Sequence, residues 1–365
     1  MNKRRISRKI LFFQGAPCTQ PFASPSTSYS TGSSPVFICP IDFNGDSRTD
    51  LAVVNSGSNN VQLYRSLVNQ TFQLINSFTT DSNPVCAVAA DFNDDNILDL
   101  IVVTTNNNKI SEYLGIGDGT FVLVQKYSTD AMPMFIAAED LNNDGYVDLA
   151  VVCTFADKIN LFINNGDGSF NNGESLSTGI DPICLSIVDV DNDDIYDIIL
   201  VNSGDNTYQI FLGYGDGSFY LHSTSSTGLN PRFVVLNYFD NDDSIDMAIV
   251  NYGSDTLFIY INNGFGSFQR RTIVSVDDGP LSLVSFDINS DGFEDLITAN
   301  NNSQTINILF GDQSGSFQNG YSITTATGPV YATTILVDTE NPDTLVNLAV
   351  ALKGTNQLAF YRYRC

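Results

Sequence analysis

Marker residues recur at a spacing of 49 along this chain of 365 residues, and no other sequence feature constrains the fold as strongly. A set of prolines, a phenylalanine that closes a glycine-rich turn and the first acid of an Asp-rich loop all keep this spacing. The prolines are Pro35, Pro84, Pro133, Pro182, Pro231, Pro280 and Pro329. Because chance would not hold three markers in phase over this length, we interpret the chain as a protein of seven repeated units.

Each unit contains three short runs of apolar, β-branched or aromatic residues and a more polar fourth segment that leads to the next proline. In the third unit, residues 135–138 precede the Asp-rich loop, residues 149–153 follow it, and residues 159–163 follow a polar turn. The turn Gly166-Asp-Gly-Ser169 then supplies the positive φ angles that a hairpin needs. The pattern predicts four antiparallel strands per unit and no helix.

Four-stranded units of this length stack radially into a β-propeller. The first two strands of each unit are apolar on both faces, which indicates sheets that neighbours cover on both sides. We therefore predict an all-β fold, a seven-bladed β-propeller of four-stranded antiparallel blades. A linear β-solenoid is the alternative, but it would require much shorter coils.

The two ends of the chain predict how the ring closes. The seventh unit stops after its third strand, Gln357–Tyr363. A segment that resembles a fourth strand lies near the N-terminus, because Phe22 to Pro35 passes through Tyr-Ser-Thr to the marker proline as Phe121 to Pro133 does. We predict that residues 20–31 complete the last blade, so that residues 18–365 form one propeller domain.

The cysteines divide into a terminal pair and four internal residues. Cys18 and Cys365 stand where other units have the Gly-Asp-Gly turn, so a disulfide between them would replace the missing hairpin. Two free terminal thiols are the alternative. Cys39, Cys86, Cys153 and Cys184 fall within apolar strands, and we interpret them as buried free thiols.

Five units carry a nine-residue loop with side-chain oxygens at the first, third, fifth and ninth places. Such a loop suits Ca²⁺, which takes six to eight oxygens at about 2.3–2.6 Å, and the seventh residue would add its backbone carbonyl. The predicted ligands, with the seventh residue before the ninth, are Asp42, Asn44, Asp46, Arg48 and Asp50; Asp91, Asn93, Asp95, Ile97 and Asp99; Asp140, Asn142, Asp144, Tyr146 and Asp148; Asp189, Asp191, Asp193, Ile195 and Asp197; Asp287, Asn289, Asp291, Phe293 and Asp295. The sixth place needs φ > 0, which Gly145 and Gly292 allow and which suits Ser47 least.

Two units depart from this pattern. The fifth has Tyr238 at the first place and keeps Asp240, Asp242 and Asp246, so we predict weak binding or none. The seventh has Leu336 there and a two-residue insertion, so we predict no site. For the complete loops, a cluster of Asx turns that needs no metal is the alternative. An EF-hand is excluded because a strand follows each loop instead of a helix.

Composition narrows the classes of function. The formal net charge of −25 argues against nucleic acid or an anionic membrane as partner. The chain has one histidine, His222, which removes most zinc and Ser/His or Cys/His chemistry. No apolar stretch reaches the roughly 18 residues that a membrane span requires.

The N-terminus and two sequons bear on the compartment. Residues 1–17 contain a basic region followed by a short apolar run, which we interpret as a degraded signal peptide or a plain basic tail. Asn69 and Asn301 begin Asn-x-Ser/Thr sequons. These features favour a secreted glycoprotein.

The Asp-x-Asn-x-Asp-Gly-x-x-Asp-Leu loop, with the Gly-Asp-Gly-Ser-Phe turn, resembles the FG-GAP (VCBS-type) repeat proteins, whose repeats also form the head of integrin α chains. The resemblance covers residues 20–365 and implies a propeller whose Asp-rich loops bind structural Ca²⁺, about five ions, on one face. The integrin-type Gly-Ala-Pro tripeptide is absent after the second strands, which favours a shorter secreted repeat type.

Function is then expected on the opposite face, where the turns escape the repeat. Candidate ligand-contacting residues there are Lys109, Phe155, Lys158, Arg232 and Tyr252. We expect a monomeric module for binding or adhesion, with an extracellular protein or glycan as partner and no catalytic residues. One alternative is a carbohydrate-active lyase or hydrolase that uses carboxylates of this face, drawn from Asp130, Asp181, Asp205, Asp255 and Asp277. Another is an extracellular scaffold without a discrete ligand.

Overall fold

The computed structural model describes residues 25, 27–68, 71–240, 242–336 and 346–362. The predicted tail or signal peptide at residues 1–17 lies outside the described residues. The predicted Cys18–Cys365 disulfide lies outside them as well, as does the sequon residue Asn69.

The repeat markers open two strands of a blade: the proline opens the first strand in all seven blades, and the turn phenylalanine opens the fourth strand in six. The strands are β1 Thr27–Ser30, β2 Pro35–Ile41, β3 Asp50–Asn55, β4 Asn60–Ser66, β5 Phe72–Thr79, β6 Pro84–Ala90, β7 Asp99–Thr104, β8 Lys109–Gly115, β9 Phe121–Ser128, β10 Pro133–Glu139, β11 Asp148–Cys153, β12 Lys158–Asn164, β13 Phe170–Ser177, β14 Pro182–Val188, β15 Asp197–Asn202, β16 Thr207–Gly213, β17 Phe219–Ser226, β18 Pro231–Asn237, β19 Asp246–Asn251, β20 Thr256–Asn262, β21 Phe268–Ser275, β22 Pro280–Phe286, β23 Asp295–Asn300, β24 Thr305–Gly311, β25 Phe317–Thr324, β26 Pro329–Leu336, β27 Val346–Leu352 and β28 Gln357–Arg362.

The strands form seven antiparallel four-stranded sheets, each ordered as in β2-β3-β4-β5, and the sheets are the blades of a β-propeller. The predicted fold class is confirmed. Six blades use four consecutive strands from the innermost to the outermost. We call the face that carries the Asp-rich loops and the glycine-rich turns the lower face. The upper face carries the turns between the second and third strands and the links between blades.

The predicted ring closure is confirmed within the described residues. The seventh sheet has the order β1-β28-β27-β26, so the N-terminal strand is its outermost member. Thr27 pairs with Phe360 and Ser30 with Gln357 in antiparallel register. The N-terminal segment therefore supplies the strand that the seventh unit lacks.

The core lies between blades. The second strands are buried at every residue, as in β11, because neighbouring blades cover both faces of each sheet. The outer strands are mostly exposed or half-buried, and β17 alternates between the two from residue 222 onward. His222 is exposed on that strand.

Aromatic rings from four innermost strands close the central axis. Phe37 lies 4.3 Å from Tyr331 and 6.3 Å from Phe135 between ring centroids, and Phe233 lies 5.7 Å from Phe135 and 6.1 Å from Tyr331. We call these four rings the aromatic plug. The equivalent residue of the other three blades is small, and these residues are Cys86, Cys184 and Ser282. Three small residues leave room for four rings around one axis.

The four internal cysteines are buried free thiols, as predicted. Burial raises the pKa of Cys39, Cys153 and Cys184 to about 12, so these thiols are protonated at neutral pH. The described residues contain one turn of 3-10 helix, Thr154–Ala156, where none was predicted. Nowhere in the described part of the chain is a helix long and apolar enough to cross a membrane.

Candidate metal sites and candidate ligand face

The ninth residue of each Asp-rich loop fastens the loop to the third strand of its blade. Asp148 is buried, its Oδ2 accepts a hydrogen bond from Leu141 N at 3.0 Å, and its Oδ1 accepts one from Asn164 N at 2.7 Å. The loop is therefore anchored to the blade core at both oxygens of one carboxylate. The carboxylates that accept from the third strand in this way are Asp50, Asp99, Asp148, Asp197, Asp246 and Asp295.

Burial raises the pKa of each of these six carboxyl groups. The pKa rises from 3.8 to about 6 for Asp99, Asp148 and Asp246, and to about 7 for Asp50, Asp197 and Asp295. The hydrogen bonds from the backbone oppose this rise, and the neighbouring loop carboxylates add to it. A cation close by would act in the opposite direction and favour the ionised form.

The first residue of the loop folds the rest of it into a tight arc. Asp140 Oδ1 accepts from Asp144 N at 3.1 Å, and its Oδ2 accepts from Gly145 N at 2.9 Å. The fifth and sixth N–H groups are held by the first carboxylate in the same way in the other complete loops. Those carboxylates are Asp42, Asp91, Asp189 and Asp287.

The sixth residue has a positive φ in all five complete loops, as predicted. The φ angle is 94° at Gly145 and 64° at Ser47, so even the least suited residue adopts this conformation. The fourth residue also has a positive φ, for example 58° at Asn143, which the sequence analysis missed. The recurrence of Gly, Asn, Asp and Ser at the fourth place is the signal that could have revealed it.

In the fourth loop, three carboxylates converge. Ligand oxygens of Asp189, Asp191 and Asp197 all lie within 4.8 Å of one another. Asp191 Oδ1 is buried and has no hydrogen-bond partner among the described residues. Burial, followed by the charges of Asp193 and Asp189, raises the pKa of Asp191. A buried oxygen without a donor beside two other carboxylates fits a hard cation.

The structure brings the predicted ligands of each complete loop together in one arc, and their role as ligands stays a prediction. The first loop also contains an ion pair, which the guanidinium of Arg48 forms with Asp46. Arg48 therefore engages the carboxylate at the fifth place. A cation in this loop would compete with that guanidinium.

The fifth loop keeps the hydrogen bonds of its ninth residue, Asp246, but lacks those that a first carboxylate makes in the complete loops. Asp246 Oδ2 accepts from Phe239 N at 3.0 Å and from Asp240 N at 3.2 Å, while Tyr238 offers no carboxylate to the fifth and sixth N–H groups. Asp242 N donates to Asp240 Oδ1 at 2.9 Å, as Asp144 N donates to Asn142 Oδ1 in the third loop. Residues 337–345, which contain the insertion of the seventh unit, lie outside the described residues.

The second residue of the loop was also missed. It is apolar and at most 2% exposed in six blades, and these residues are Phe43, Phe92, Leu141, Val190, Phe239 and Ile288. Asparagine side chains of the next blade hold two of these positions, with Asn164 Nδ2 donating to Phe92 O at 2.9 Å and Asn262 Nδ2 donating to Val190 O at 2.8 Å. Each loop is thus seated by a buried side chain, and two of them are also tied to the next blade.

The upper-face candidates separate into two groups. Phe155 is 72% exposed, and Lys158 Nζ lies 3.5 Å from Asp130 Oδ2 in the same region of the ring. Arg232 Cζ lies over the ring of Tyr252, 5.4 Å from its centroid. Lys109 opens β8 and is half-buried. Only Arg232 and Tyr252 form a contact with each other.

The carboxylates considered for catalysis serve the turns around them. Asp277 Oδ2 accepts from Thr305, Asn307 and Ser322 at 2.6–2.9 Å, and Asp205 Oδ1 accepts from Thr207 Oγ1 at 2.8 Å. Asp255 Oδ1 accepts from Gly279 N at 2.9 Å. Each of these three carboxylates stabilises a link or turn of the upper face.

Three comparisons place the chain among known proteins. The model of the FG-GAP-like repeat matches residues 42–102, 91–151, 140–200 and 238–298, which is more than half of the chain. No curated protein sequence matches the chain.

Similar solved structures share the architecture at low sequence identity, which shows the fold alone. BBS1N, in a crystal structure of its complex with ARL6DN, has a TM-score of 0.69 and 11% identity, covering 93% of this chain and 97% of that chain. Sqt1 of Saccharomyces cerevisiae has a TM-score of 0.67 and 12% identity, covering 94% of this chain and 100% of that chain. PpgL, a periplasmic gluconolactonase of Pseudomonas aeruginosa, has a TM-score of 0.66 and 16% identity, covering 83% and 89%.

Proposed function

This chain belongs to the FG-GAP-like repeat family, and on that premise we propose that it is a secreted, Ca²⁺-stabilised propeller that binds an extracellular protein or glycan partner. The observation that carries the proposal is the fourth loop, where three carboxylates meet and one buried oxygen lacks a donor. Four other loops offer the same places for oxygen ligands.

The donor set of these loops suits a hard cation. In the fourth loop, Asp189, Asp191, Asp193 and Asp197 would hold the ion together with the carbonyl of Ile195. Oxygen ligands alone, without sulfur or imidazole, favour Ca²⁺ or Mg²⁺ over zinc. The flexible loop geometry and the number of ligands favour Ca²⁺ over Mg²⁺.

The proposed role of the ions is to stabilise blades. The loops repeat around the ring, and each joins the first and second strands of one blade. An ion that binds only the folded state adds about 2.7 kcal/mol per site at a hundredfold excess over Kd. Extracellular calcium concentrations make such occupancy reasonable, which supports secretion as part of the proposal.

The proposed role of the upper face is to bind the partner. BBS1N was crystallised in complex with ARL6DN, so a propeller of similar architecture has been captured with another protein. The upper face of this chain varies between blades where the lower face does not. A surface that departs from the repeat is where a specific contact can be built, which favours a binding module over an enzyme.

Calorimetric titration with Ca²⁺ after chelation tests the proposal, with thermal melting recorded alongside. We expect about five sites and a melting temperature that falls by more than about 10 °C in chelator. Asp189→Asn should remove one site, whereas the matched change Asp242→Asn, in the loop without a first acid, should remove none. Absence of heat and of any change in melting would contradict the calcium role.

Binding to a glycan array and to extracellular proteins tests the second half of the proposal. We expect a partner that variants of the upper face lose and that lower-face variants retain in excess Ca²⁺. Turnover of a polysaccharide by the purified chain would instead favour the carbohydrate-active alternative.

A further inference from the structure

One charged residue, Arg232, interrupts a ring of apolar residues at the upper end of the central axis. The residue that follows each marker proline is the extra residue of a β-bulge, since Pro231 pairs with Asn251 and Phe233 with Val250. All seven such residues are half-buried and stand near the upper end of the innermost strands, one position before the residues of the aromatic plug and their equivalents. They are Val36, Val85, Met134, Ile183, Arg232, Leu281 and Val330. Arg232 is the one charged member.

A second departure from the repeat lies in the same blade and contacts the first. The residue after the second strand is a small hydroxyl residue in blades one to four, and these residues are Ser56, Thr105, Thr154 and Ser203. In blade five it is Tyr252, whose ring lies 5.4 Å from Arg232 Cζ. The hydroxyl of Tyr252 lies 3.3 Å from Asn302 Nδ2, which donates to it from blade six. The ring is thus fixed at one end while its face meets the guanidinium.

The guanidinium of Arg232 has unused hydrogen-bonding capacity. Its Nε is buried and has no hydrogen-bond partner among the described residues. Within the same described part of the chain, no carboxylate oxygen lies within 4 Å of its nitrogens. A buried N–H of a charged group that lacks an acceptor is costly, so a residue of this kind needs a reason to be kept.

We propose that Arg232 and Tyr252 form a site at the upper mouth of the axis for a single carboxylate group attached to an apolar body. Because Nε is buried, the carboxylate would meet the end of the guanidinium, whose two terminal nitrogens can donate two parallel hydrogen bonds. The six apolar residues of the ring, and the adjacent aromatic plug, would contact the rest of the ligand. This inference rests on the proposed use of the upper face for binding, and it names the class of ligand.

The negative charge of the chain favours a carboxylate monoanion over a more highly charged anion as the ligand. The chain has a formal net charge of −25, which repels phosphate dianions and polyanions. Burial lowers the pKa of Arg232, and the neighbouring Tyr252 and Asp181 act to raise it. One guanidinium matches one monoanion, and because Asp181 already offsets part of its charge, a second negative charge on the ligand would stay uncompensated.

The test is calorimetric titration of the full chain, in excess Ca²⁺ and low salt, with hexanoate and with an acetylated tripeptide that has a leucine carboxylate at its end. Hexanamide and the same peptide as its amide are the neutral probes. We expect the acids to bind and the amides to bind at least about tenfold more weakly. Arg232→Leu restores the residue type of Leu281 and should therefore fold, and it should weaken acid binding by about 10- to 100-fold.

A matched control is available in the same blade. Arg271 is exposed on the outer strand and lines an open groove of about 540 Å³ together with Arg270, so Arg271→Leu removes the same charge elsewhere. It should leave binding unchanged. Arg232→Lys should bind the acids more weakly than wild type, because it keeps the charge and loses the planar donor pair.

Each outcome decides the proposal. Binding of both acids assigns the site to small carboxylates, and binding of the peptide acid alone assigns it to chain termini. Lack of binding by either acid overturns the proposal, and so does equal affinity of acid and amide or of wild type and Arg232→Leu. If Ca²⁺ fails to stabilise the chain, this measurement still stands. If Ca²⁺ stabilises a chain that binds no carboxylate, only the present proposal fails.

Discussion

On the lower face the five complete Asp-rich loops repeat the same hydrogen bonds, whereas the upper face changes from blade to blade. The first carboxylate holds the fifth and sixth N–H groups in every complete loop, as Asp140 holds those of Asp144 and Gly145. On the upper face, the hydroxyl of Ser203 donates to the carbonyl of Asp181 at 3.0 Å. In blade five Tyr252 stands at the equivalent place and contacts Arg232. Uniform contacts indicate a structural task that every blade shares. The departures indicate where selection for binding could act on one blade alone.

The largest expected effect distinguishes the anchoring role of the ninth aspartate from its predicted role as a metal ligand. Asp148→Ala and Asp246→Ala both leave two or more backbone N–H groups without their acceptor, so each should destabilise the chain by about 3 kcal/mol in chelator. In excess Ca²⁺, only Asp148→Ala should lose a further increment, because its loop also has a first acid. Denaturant unfolding with and without Ca²⁺ measures both. Equal losses for the two variants in Ca²⁺ would mean that the third loop binds no ion.

The next largest effect is a gain of one Ca²⁺ site and of the stability that it adds. Tyr238→Asp restores the first acid of the fifth loop and should add one Ca²⁺ site, with about 2.7 kcal/mol of stability at a hundredfold excess over Kd. The site count comes from calorimetry and the stability from unfolding. Tyr238→Phe is the control and should add no site. An unchanged count for the Asp variant would show that the backbone of the fifth loop, and not its missing acid, prevents binding.

A smaller effect tests an exception inside the repeat. Glu112 is 3% exposed at a place where five other blades have leucine or isoleucine, and Tyr127 OH donates to its Oε2 at 3.0 Å. Burial raises its pKa from 4.5 to about 7. Because the folded pKa is the higher one, its contribution to stability is complete below about pH 4.5 and is lost as pH rises through 7.

Glu112→Ile should therefore stabilise the chain at pH 8, by about 1–2 kcal/mol, and much less at pH 5. The measurement is the difference in unfolding free energy between variant and wild type at the two pH values, in chelator. The anchoring aspartates titrate in the same direction in both proteins, and the difference retains the coupling of Asp99, whose charge raises the pKa of Glu112. A difference that does not change with pH would contradict the assigned pKa.

The smallest effect concerns the upper face. Phe155 is 72% exposed, so Phe155→Ser should change the free energy of unfolding by less than about 0.5 kcal/mol. Thermal melting in Ca²⁺ checks this. A larger loss would mean that this part of the upper face supports the fold and is not free to vary with a partner.

The sequence was sufficient for the architecture and for the outline of the metal loops. The period of 49 fixes which residues are equivalent, and equivalence predicts the strands, the seven blades and the strand that closes the ring. The hydrophobic pattern alone could not predict that Asp148 also anchors its loop to the third strand. The hydrogen bond that Asp148 accepts from Asn164 N joins residues that no local pattern connects.

The same limit applies to residues that occur once. Arg232 and Tyr252 could be recognised as departures from the repeat, but their contact depends on how the turn of blade five lies over its own first strand. Likewise, Glu112 could have been found by aligning the units, since five equivalents are aliphatic. Its burial depends on the packing of blade two against blade three, which the period does not specify.

The closure of the ring has a consequence for the order of folding. Thr27 pairs with Phe360, so two segments separated by more than 300 positions must meet before the seventh blade is complete. Blades one to six form from neighbouring hairpins and can assemble while synthesis continues, whereas the first strand to be made waits for the last one. Until then, β1 and β28 expose unpaired edges that can join other chains. We expect the amides of this blade to exchange with solvent sooner than those of blade three, which native-state hydrogen exchange would show.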